Sequence, residues 1–465
     1  MSFRIFNLHL RFSLVLLAFL EGAVLLLAPH VATWLGVESV GEPLASDSPS
    51  VWAGSSVFAA FGMPCLLAVG LYSTRQRCDL TGVGARVIGA VTGAVVLSAL
   101  FFYFLPGIGI GRRTLATAAG LAVAGCLALR LAFERLLKED FFKRRVLVFG
   151  AGRRAASLLE LRRRSDTHGF RLIAFVGAQG DEIVVPTGQL LERPPDLYRW
   201  SLEHDIDEIV LAMDDRRRDF PMEELLECRL AGIAVLELPS FLERETGKVR
   251  LDVVNPSWIV LGEGFRETPL QQVLERGFDV LASLVLMVLA LPIMMLTAIA
   301  IRVEDGWRAP VFYRQLRVGR HNRPFQVLKF RSMREDAEED GAVWAVSGDP
   351  RITRVGAITR KARIDELPQL INVLRGDMSF VGPRPERPEF VEELAKCLPH
   401  YRSRHAVKPG ITGWAQLCYP YGASDQDSLE KLQYDLFYVK HRSLIFDLAI
   451  VVQTVEVVLW GKGAR

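Results

Sequence analysis

The sequence has few cysteines, no paired histidines and almost no net charge, and each shortage excludes a class of protein. Its six cysteines show neither CxxC nor metal-ligand spacing, which argues against a disulfide framework or a zinc site and fits a reducing compartment. The eight histidines form no HxxxH or HxH pair. A net charge of +3 is too small to indicate a nucleic-acid partner.

Long apolar runs are what the chain does contain. Half of its 465 residues are hydrophobic, and the first part of the chain holds four runs of about 20 residues, the length that crosses a bilayer. A buried soluble helix would explain any single run. Four in succession, joined by short polar loops, predict a transmembrane four-helix bundle over residues 1–142. The runs are Leu8–Val31, Val51–Tyr72, Val83–Leu105 and Thr114–Leu137.

The orientation of this bundle follows from its positive charges. Arg4 and Arg11 precede the first run and basic residues 143–145 follow the fourth, whereas Glu38 and Glu42 lie in a first loop without Lys or Arg. Cytoplasmic segments are the ones enriched in Lys and Arg. We therefore expect a multi-pass protein of the bacterial inner membrane, with everything after Lys143 on the cytoplasmic face. No small-residue cleavage site follows the first run, so it is predicted to remain as an anchor.

Residues 143–262 alternate between strand-like and helix-like segments, which predicts a small doubly wound α/β domain of the Rossmann type. Gly150 and Gly152 follow a buried strand, and Ala155 completes a near match to the dinucleotide fingerprint. The alternative function is therefore a membrane-anchored, NAD-dependent enzyme that modifies nucleotide-sugars. The domain has no YxxxK pair and no convincing acidic ribose ligand, so we interpret the two glycines as structural.

Residues 263–465 form the predicted catalytic domain, which begins with a fifth apolar run, Gly277–Ile301. This run contains Pro292, which removes a backbone donor and kinks a helix. A plain span would place the basic stretch after it outside the cell, against the positive-inside bias. We therefore predict a re-entrant membrane hairpin over residues 277–301 that bends at Pro292, with the plain span as the alternative.

The chemistry is expected at two adjacent carboxylates, Asp365 and Glu366, just before the apolar helical turn LPQLINVL. Two carboxylates in a basic surround suit Mg²⁺, which completes its shell with phosphate oxygens and water. A carboxylate can also attack phosphorus and give an acyl-phosphate. The competing interpretation is a solvated first helical turn favoured by the helix dipole.

Several strings around the dyad resemble those of one family. KFRSM, DELPQL, DMSFVGPRPERPEF, KPGITGWAQ and YDLFYVKHRS occur between Pro269 and Trp460. Together, in this order, they resemble the bacterial sugar transferase family, the monotopic polyprenyl-phosphate hexose-1-phosphate transferases. The four spans and the α/β domain are similar to the large members of the family. The opening MSFRIFN resembles the subgroup linked to exosortase-type exopolysaccharide systems.

The resemblance implies a function and roles for individual residues. Asp365 would be the nucleophile that takes a sugar-phosphate from a UDP-sugar, and Glu366 would help to bind Mg²⁺. The acceptor would be polyprenyl (undecaprenyl) phosphate, and the product would start exopolysaccharide or a related glycan. A homodimer is plausible for the large members. The basic residues expected to bind phosphate are Lys329, Arg331, Arg360, Arg384, Arg387 and Lys408.

Two features sharpen these expectations, and one alternative remains. Pro383 and Pro385 flank Arg384 and should stiffen the loop that aims its guanidinium. Gly410 and Gly413 would let the backbone approach a ligand closely. A non-catalytic scaffold with a decayed last domain is a further alternative, and the intact Asp365–Glu366 pair argues against it.

Overall fold

The computed structural model describes the backbone of most of the chain, in two compact units, Met1–Val254 and Asn255–Arg465. The boundary predicted between residues 262 and 263 lies outside the described residues. These are 2–5, 8–35, 49–69, 71–72, 80–108, 110–138, 143–161, 164–167, 169–215, 220–254, 268–334, 349, 351–419 and 424–460.

The first unit begins with the predicted apolar helices. A short antiparallel hairpin, β1 (Ser2–Ile5) and β2 (Leu8–Arg11), precedes them. All four helices are long and apolar enough to cross a membrane. They are α1 (Phe12–Trp34), α2 (Pro49–Ala68), α3 (Leu80–Phe104) and α4 (Arg112–Lys138).

Small residues let these four helices pack closely. Helix α1 contacts α2 and α4, and α3 contacts both of them. A Cβ atom on Gly62 would lie 2.8 Å from Leu25, and one on Gly125 would lie 2.8 Å from Val24. Small residues at such crossings are the usual way that membrane helices approach each other, because lipid supplies no hydrophobic driving force.

One ion pair is buried inside the bundle. Glu21 on α1 is fully buried and lies 2.6 Å from Nε of Arg130 on α4. Tyr72 donates a hydrogen bond to the same carboxylate, and Arg130 also donates to the carbonyl of Leu71 at 2.9 Å. A charge in an apolar bundle is costly without such partners, so this pair fixes how α1 and α4 align.

The α/β domain of the first unit is a five-stranded parallel sheet in the order β5-β4-β3-β6-β7. Its strands are β3 (Arg144–Phe149), β4 (Phe170–Val176), β5 (Leu190–Leu191), β6 (Glu208–Leu211) and β7 (Ala234–Glu237). Its helices are α5 (Arg153–Ala156), α6 (Arg164–Thr167), α7 (Leu197–Glu203), α8 (Met222–Leu230) and α9 (Leu238–Thr246).

Both faces of this sheet are covered, as the doubly wound prediction requires. Val146 and Val148 of β3 pack into one apolar core, while Leu147 and Phe149 pack into another. Such alternation is expected of a strand buried on both sides. Helix α5 is a single turn, and the Ser157 hydroxyl that follows it donates to the carbonyl of Arg154 at 2.6 Å.

The second unit combines one very long helix with short strands and helices. Strands β8 (Phe312–Val318) and β9 (Pro324–Phe330) form an antiparallel hairpin, and β10 (Ser379–Val381) and β11 (Gly410–Thr412) form a parallel pair. The helices are α10 (Pro269–Asp305), α11 (Arg354–Lys361), α12 (Gln369–Arg375), α13 (Pro388–Cys397), α14 (Trp414–Cys418), α15 (Asp425–His441) and α16 (Leu444–Trp460).

Helix α10 contains the fifth apolar run and extends beyond it at both ends. It has 37 residues and includes Pro292 without an interruption of the helix, so its length is about 55 Å at 1.5 Å per residue. It is long and apolar enough to cross a membrane. The re-entrant geometry predicted for this segment stays a prediction.

Two loops of the second unit cross at glycines. A Cβ atom on Gly382 would lie 2.4 Å from the carbonyl oxygen of Lys408, and one on Gly410 would lie 2.1 Å from the Gly382 nitrogen. A Cβ atom on Gly413 would lie 2.2 Å from the Gly382 carbonyl oxygen. We expected Gly410 and Gly413 to admit a ligand. The structure instead uses them to bring two backbone segments into contact.

We predict that Gly382→Ala destabilises the second unit, because the new methyl group has no space between the crossing backbones. Overpacking of this kind costs about 1–3 kcal/mol, measurable as a lower midpoint in detergent-solubilised thermal unfolding. Gly277→Ala is the matched control, since nothing lies within 4 Å of its Cβ position. Equal stability of the two variants would contradict the backbone-crossing explanation.

Candidate active site

The turn that carries the two carboxylates is positioned by the helix before it. Thr353 caps helix α11, because its side chain accepts a hydrogen bond from the Gly356 nitrogen at 2.9 Å. Glu304 also accepts from the nitrogens of Arg354 and Val355, at 2.7 and 2.9 Å. The carboxylate of the last turn of α10 therefore caps α11 and satisfies its free N–H groups.

The dyad follows a reversal of the chain after α11. Arg363 adopts a left-handed conformation with φ 58°, uncommon for a residue other than glycine. Residues Ile364–Glu366 then form one 3₁₀ turn, and helix α12 begins three residues after Glu366, at Gln369. The dyad thus lies just before a helix, as predicted, on a tight turn rather than in the first helical turn.

Asp365 is the more buried and less paired carboxylate of the two. It is only 9% exposed, and its Oδ1 is buried without a hydrogen-bond partner among the described residues. Burial and, next, the charge of Glu366 raise the pKa of Asp365 above its usual value. A buried, more basic carboxylate oxygen with no donor of its own is a suitable nucleophile.

Glu366, in contrast, is surrounded by cations. Its Oε1 accepts from Nη2 of Arg384 at 2.7 Å and lies 3.6 Å from Nζ of Lys329 and 3.8 Å from Nη1 of Arg363. Burial opposes its ionisation, but the charges of Arg384 and Lys329 outweigh burial and hold the pKa of Glu366 well below its usual range. Glu366 is therefore the fixed charge of the pair.

The loop of Arg384 is rigid for more reasons than its two prolines. The guanidinium of Arg317 donates to the carbonyl of Pro385 at 3.0 Å. Nη2 of Arg404 donates to the carbonyl of Arg384, also at 3.0 Å, and pairs with buried Asp435 at 2.7 Å. These contacts hold the loop from both sides, and the charge of Glu366 raises the pKa of Arg384 further.

Lys329 reaches the dyad from strand β9. Asn372 on α12 holds this strand, because its Nδ2 donates to the carbonyl of Gln326 at 2.7 Å and its Oδ1 accepts from the Leu328 nitrogen at 2.9 Å. Burial lowers the pKa of Lys329, while the charge of Glu366 counteracts it. The buried amide of Asn372, the fourth residue of the helix after the dyad, thus positions the strand that carries Lys329.

The structure gathers some of the other predicted phosphate ligands at this site. Arg360, in the last turn of α11, is close enough for its charge to lower the pKa of Asp365. Arg387 immediately precedes α13. Burial lowers the pKa of Arg317, and the positive charges of Arg384 and Arg387 lower it further. The Arg384 loop therefore carries a second arginine into the same basic region.

Two predicted ligands lie in other surroundings. Arg331 donates to Asp305 at 2.6 Å and lines a cavity of about 370 Å³ with Arg308 and Arg334. Lys408 has its pKa lowered by burial and then by the charge of Arg276, and the charges that act most on it do not include the dyad. The sequence pattern did not separate these two residues from those beside Glu366.

Three residues that sequence analysis did not single out support the site. They are Asn372, Arg404 and Arg317, and each one hydrogen-bonds to backbone next to Lys329 or Arg384. Asn372 offered a signal, since it and Gln369 are the polar residues within the apolar turn LPQLINVL. Arg404 and Arg317 lie outside the recognised strings, so nothing in the pattern marked them.

The donor set at the dyad suits Mg²⁺ bound together with a phosphate. Mg²⁺ needs only one or two carboxylates when phosphate oxygens and water complete its octahedral shell. The buried, unpartnered Oδ1 of Asp365 beside Glu366 meets that need. Within the described residues there is no cluster of three or more His, Cys, Asp or Glu that would hold a metal by itself.

The glycine-rich turn of the α/β domain is filled by the chain's own carboxylates. Asp214 accepts from the nitrogens of Arg153 and Arg154, both at 3.0 Å, and Asp181 accepts from the Ala151 nitrogen at 2.9 Å. In a dinucleotide-binding domain these N–H groups face the pyrophosphate. The geometry supports our structural interpretation of Gly150 and Gly152.

Comparisons with known proteins are consistent with the site in the second unit. The model of a protein family described as bacterial sugar transferase matches residues 270–461. The chain is 42% identical over 241 residues to the UDP-N-acetylgalactosamine-undecaprenyl-phosphate N-acetylgalactosaminephosphotransferase of Aeromonas hydrophila. That alignment covers 52% of this chain and 56% of the relative, so the chain spans little more than half of that protein.

Two further relatives align over more of their length, and both carry the name UDP-glucose:undecaprenyl-phosphate glucose-1-phosphate transferase. The Klebsiella pneumoniae protein is 32% identical over 350 residues, which are 73% of each chain. The Xanthomonas campestris pv. campestris protein is 30% identical over 405 residues, which are 81% of each chain. These alignments extend beyond the catalytic region into the first unit.

We predict that Gly152→Ala destabilises the α/β domain and leaves the activity proposed below within a few-fold of that of the unchanged protein. A Cβ atom there would lie 2.0 Å from Oδ2 of Asp214. The double variant Gly152→Ala/Asp214→Ala removes the clash and should regain part of the lost thermal stability. A well-folded Gly152→Ala variant with ~10³-fold lower turnover, or about 4 kcal/mol of barrier, would show that this turn is part of the active site.

Proposed function

The chain belongs to the bacterial sugar transferase family, and from that premise we propose that it transfers a sugar-1-phosphate from a UDP-sugar to undecaprenyl phosphate. The relatives' names supply the donor and the acceptor. One observation carries the proposal to this chain. The buried Asp365, with an unpartnered oxygen, lies beside a Glu366 held by three cations.

The reaction has two steps in this proposal. An oxygen of Asp365 attacks the phosphorus next to the sugar, forming an acyl-phosphate bond and breaking the bond to the second phosphate, so that UMP leaves. A phosphate oxygen of the lipid then attacks the same phosphorus and releases the carboxylate of Asp365. Each step exchanges one P–O bond for another, so no oxidant or additional reactant is needed.

The neighbouring residues position the substrate and neutralise its charge, which is most of what phosphoryl transfer asks of a protein. Lys329 and Arg384 are held within reach of the dyad and would receive the negative charge of the diphosphate. Glu366 fixes Arg384 and would share Mg²⁺ with Asp365. Bound Mg²⁺ would withdraw charge from the phosphate oxygens.

Arg331 fits a phosphate site at a different place. It lines the cavity at the end of α10 together with Arg308 and Arg334. Guanidinium groups bind phosphate through paired N–H donors, so we assign this cavity to a phosphate of the donor or of the lipid. Arg360 and Arg387 belong to the basic surround of the dyad. The charges of the dyad do not act strongly on Lys408, so we do not assign it to the phosphate site there.

Helix α10 supports a catalytic unit that stays on one side of the membrane. Near its start, Arg276 donates to the carbonyl of Val373 at 2.6 Å, and Asp279 accepts from the Phe380 nitrogen at 2.8 Å. At its end, Glu304 and Asp305 bind α11 and Arg331. Both ends therefore contact the same compact unit.

These contacts argue against a plain span. Asp279 and Glu304 are 25 positions apart, or about 37 Å along a straight helix, more than the roughly 30 Å of hydrocarbon. Crossing would put them on opposite faces. We propose that α10 enters and leaves on one face, with the exposed side chains of Val288 and Leu296 toward lipid, and that Pro292 permits the bend.

Three expectations rest on other grounds. The positive-inside pattern supports a cytoplasmic catalytic unit at the bacterial inner membrane. A homodimer and membership of the exosortase-linked subgroup rest on the resemblance alone. The relatives are named for two different sugars, so a panel of UDP-sugars will identify the donor.

We predict that Asp365→Asn loses ~10³-fold or more of the transfer activity, about 4 kcal/mol of barrier, because the amide keeps the shape and cannot attack phosphorus. The assay is transfer of radiolabelled sugar-phosphate from a UDP-sugar to undecaprenyl phosphate, with and without Mg²⁺. Glu366→Gln should also be severe, with partial recovery at high Mg²⁺ if its main task is to bind the metal.

Asp427→Asn is the matched control, because this carboxylate caps α15 through Ser424 and has no contact with the dyad. Parallel initial-rate plots and UMP release without lipid are expected of a covalent intermediate. Intersecting plots with no adduct on Asp365 would refute the covalent route. Direct attack by the lipid phosphate would then replace it, with Asp365 as a metal ligand.

The same-face proposal for α10 predicts the labelling of single-cysteine variants in intact cells. A cysteine at Trp307, next to the end of α10, should resist a membrane-impermeant thiol reagent as well as a cysteine at exposed Glu182 of the α/β domain, before α10, does. Both should react after the inner membrane is opened. Labelling of the Trp307 position alone in intact cells would establish a plain span.

A further inference from the structure

Strand β10 aims the Arg384 loop, and it is held at each of its three residues. Asp279 accepts hydrogen bonds from the Ser379 hydroxyl at 3.0 Å and from the Phe380 nitrogen at 2.8 Å. The carbonyl of Val381, three positions before Arg384, lies 3.1 Å from the hydroxyl oxygen of Tyr438 on α15. A displacement of Val381 would therefore move the guanidinium that binds Glu366.

The contact between Val381 and Tyr438 depends on a proton held elsewhere. The Tyr438 hydroxyl also lies 2.8 Å from Oδ1 of Asp447 on α16. A phenol has one proton to donate, so it cannot serve both the carbonyl and an ionised carboxylate. If Asp447 is ionised, the charged acceptor takes that proton, because charge-assisted hydrogen bonds are the stronger ones. If Asp447 is protonated, it donates to the Tyr438 oxygen, and both contacts are hydrogen bonds.

The surroundings of Asp447 favour the protonated form near neutral pH. Asp447 is 4% exposed, and burial raises its pKa to about 8 although the hydrogen bond to Tyr438 acts in the opposite direction. The other charged groups that face it are Glu275 and Asp279 on α10 and Arg442 after α15. Arg442 is already paired with Glu275, and Lys408 lies near Asp279 and Arg442.

We propose that Asp447 is a positioning residue, whose protonated carboxyl donates to Tyr438 and thereby keeps Val381 and the Arg384 loop in the geometry that holds Glu366. Asp447 does not touch the substrate and acts only through Tyr438 and β10. The kinetic test of this role rests on the proposed function. The structural test, amide exchange of the loop, does not rest on it.

The consequence for pH has a definite sign. The folded protein keeps the Asp447 proton up to about pH 8, while the unfolded chain loses it near the ordinary value of about 4. The stability contributed by this proton is complete below about pH 4 and is lost as pH rises to about 8. Above pH 8 the Tyr438 hydroxyl donates its proton to the ionised Asp447 carboxylate, and the Val381 carbonyl loses its hydrogen-bond donor.

The kinetic test is the pH dependence of kcat/KM for sugar-phosphate transfer. We expect the unchanged protein to lose about fivefold, the value of one hydrogen bond, as pH rises from 7 to 9. Asp447→Asn offers an amide donor at every pH and should stay within twofold of the unchanged protein at pH 7 without that alkaline loss. Tyr438→Phe should already show the loss at pH 7. Asp427→Asn, the control on α15, should keep the normal profile.

The structural test is amide hydrogen exchange of residues 379–384, corrected for the intrinsic effect of pH. Protection should fall above pH 8 in the unchanged protein and persist in Asp447→Asn, whether or not transfer is observed. Absence of transfer at every pH would refute the proposed function and leave this test in force. An alkaline loss in Asp447→Asn equal to that of the unchanged protein, in either measurement, would overturn the positioning role.

Discussion

The ion pair between Glu366 and Arg384 is the contact on which the site depends. It joins two loops that are 18 residues apart in the chain at a distance of 2.7 Å, and it brings Lys329 and Arg363 to the same carboxylate oxygen. Loss of one partner from a buried pair costs about 3–5 kcal/mol, less here because 36% of the Arg384 side chain is exposed. Because Glu366 is satisfied in this way, its neighbour Asp365 can remain buried with a free oxygen.

Helix α10 supplies the frame for that pair. Its first polar turns hold the end of α12 and strand β10, and its last turn holds α11 and Arg331. These elements flank or carry Lys329, the dyad and Arg384. The apolar segment between the two sets of contacts is the part suited to lipid. Under the proposed function, its insertion into the membrane would be coupled to assembly of the site, so that a soluble donor and a lipid acceptor could meet at one surface.

In the α/β domain, two carboxylates bind backbone N–H groups instead of cations. Its glycine-rich turn has the position and the free N–H groups of a phosphate cradle, yet Asp181 and Asp214 supply the anions. The same peptide groups that would bind a dinucleotide hold two neighbouring loops together instead. The glycines of this near match therefore have a packing role in this chain, which accounts for the pattern at this turn.

The sequence by itself determined the local and repetitive features. The lengths of the apolar runs predicted α1 to α4 and α10, the alternation of strand-like and helix-like segments predicted the α/β domain, and the strings around DELPQL indicated the family. The tertiary structure alone decided which charges meet, since ion pairs such as Arg404–Asp435 join distant segments and leave no periodic signal. It also showed that Gly410 and Gly413 accommodate another backbone segment and that Lys408 faces α10. Asp447 contacts Tyr438, which contacts the strand before the Arg384 loop. Each of these depends on how loops cross, and burial, which sets the cost of every charge, exists only after folding.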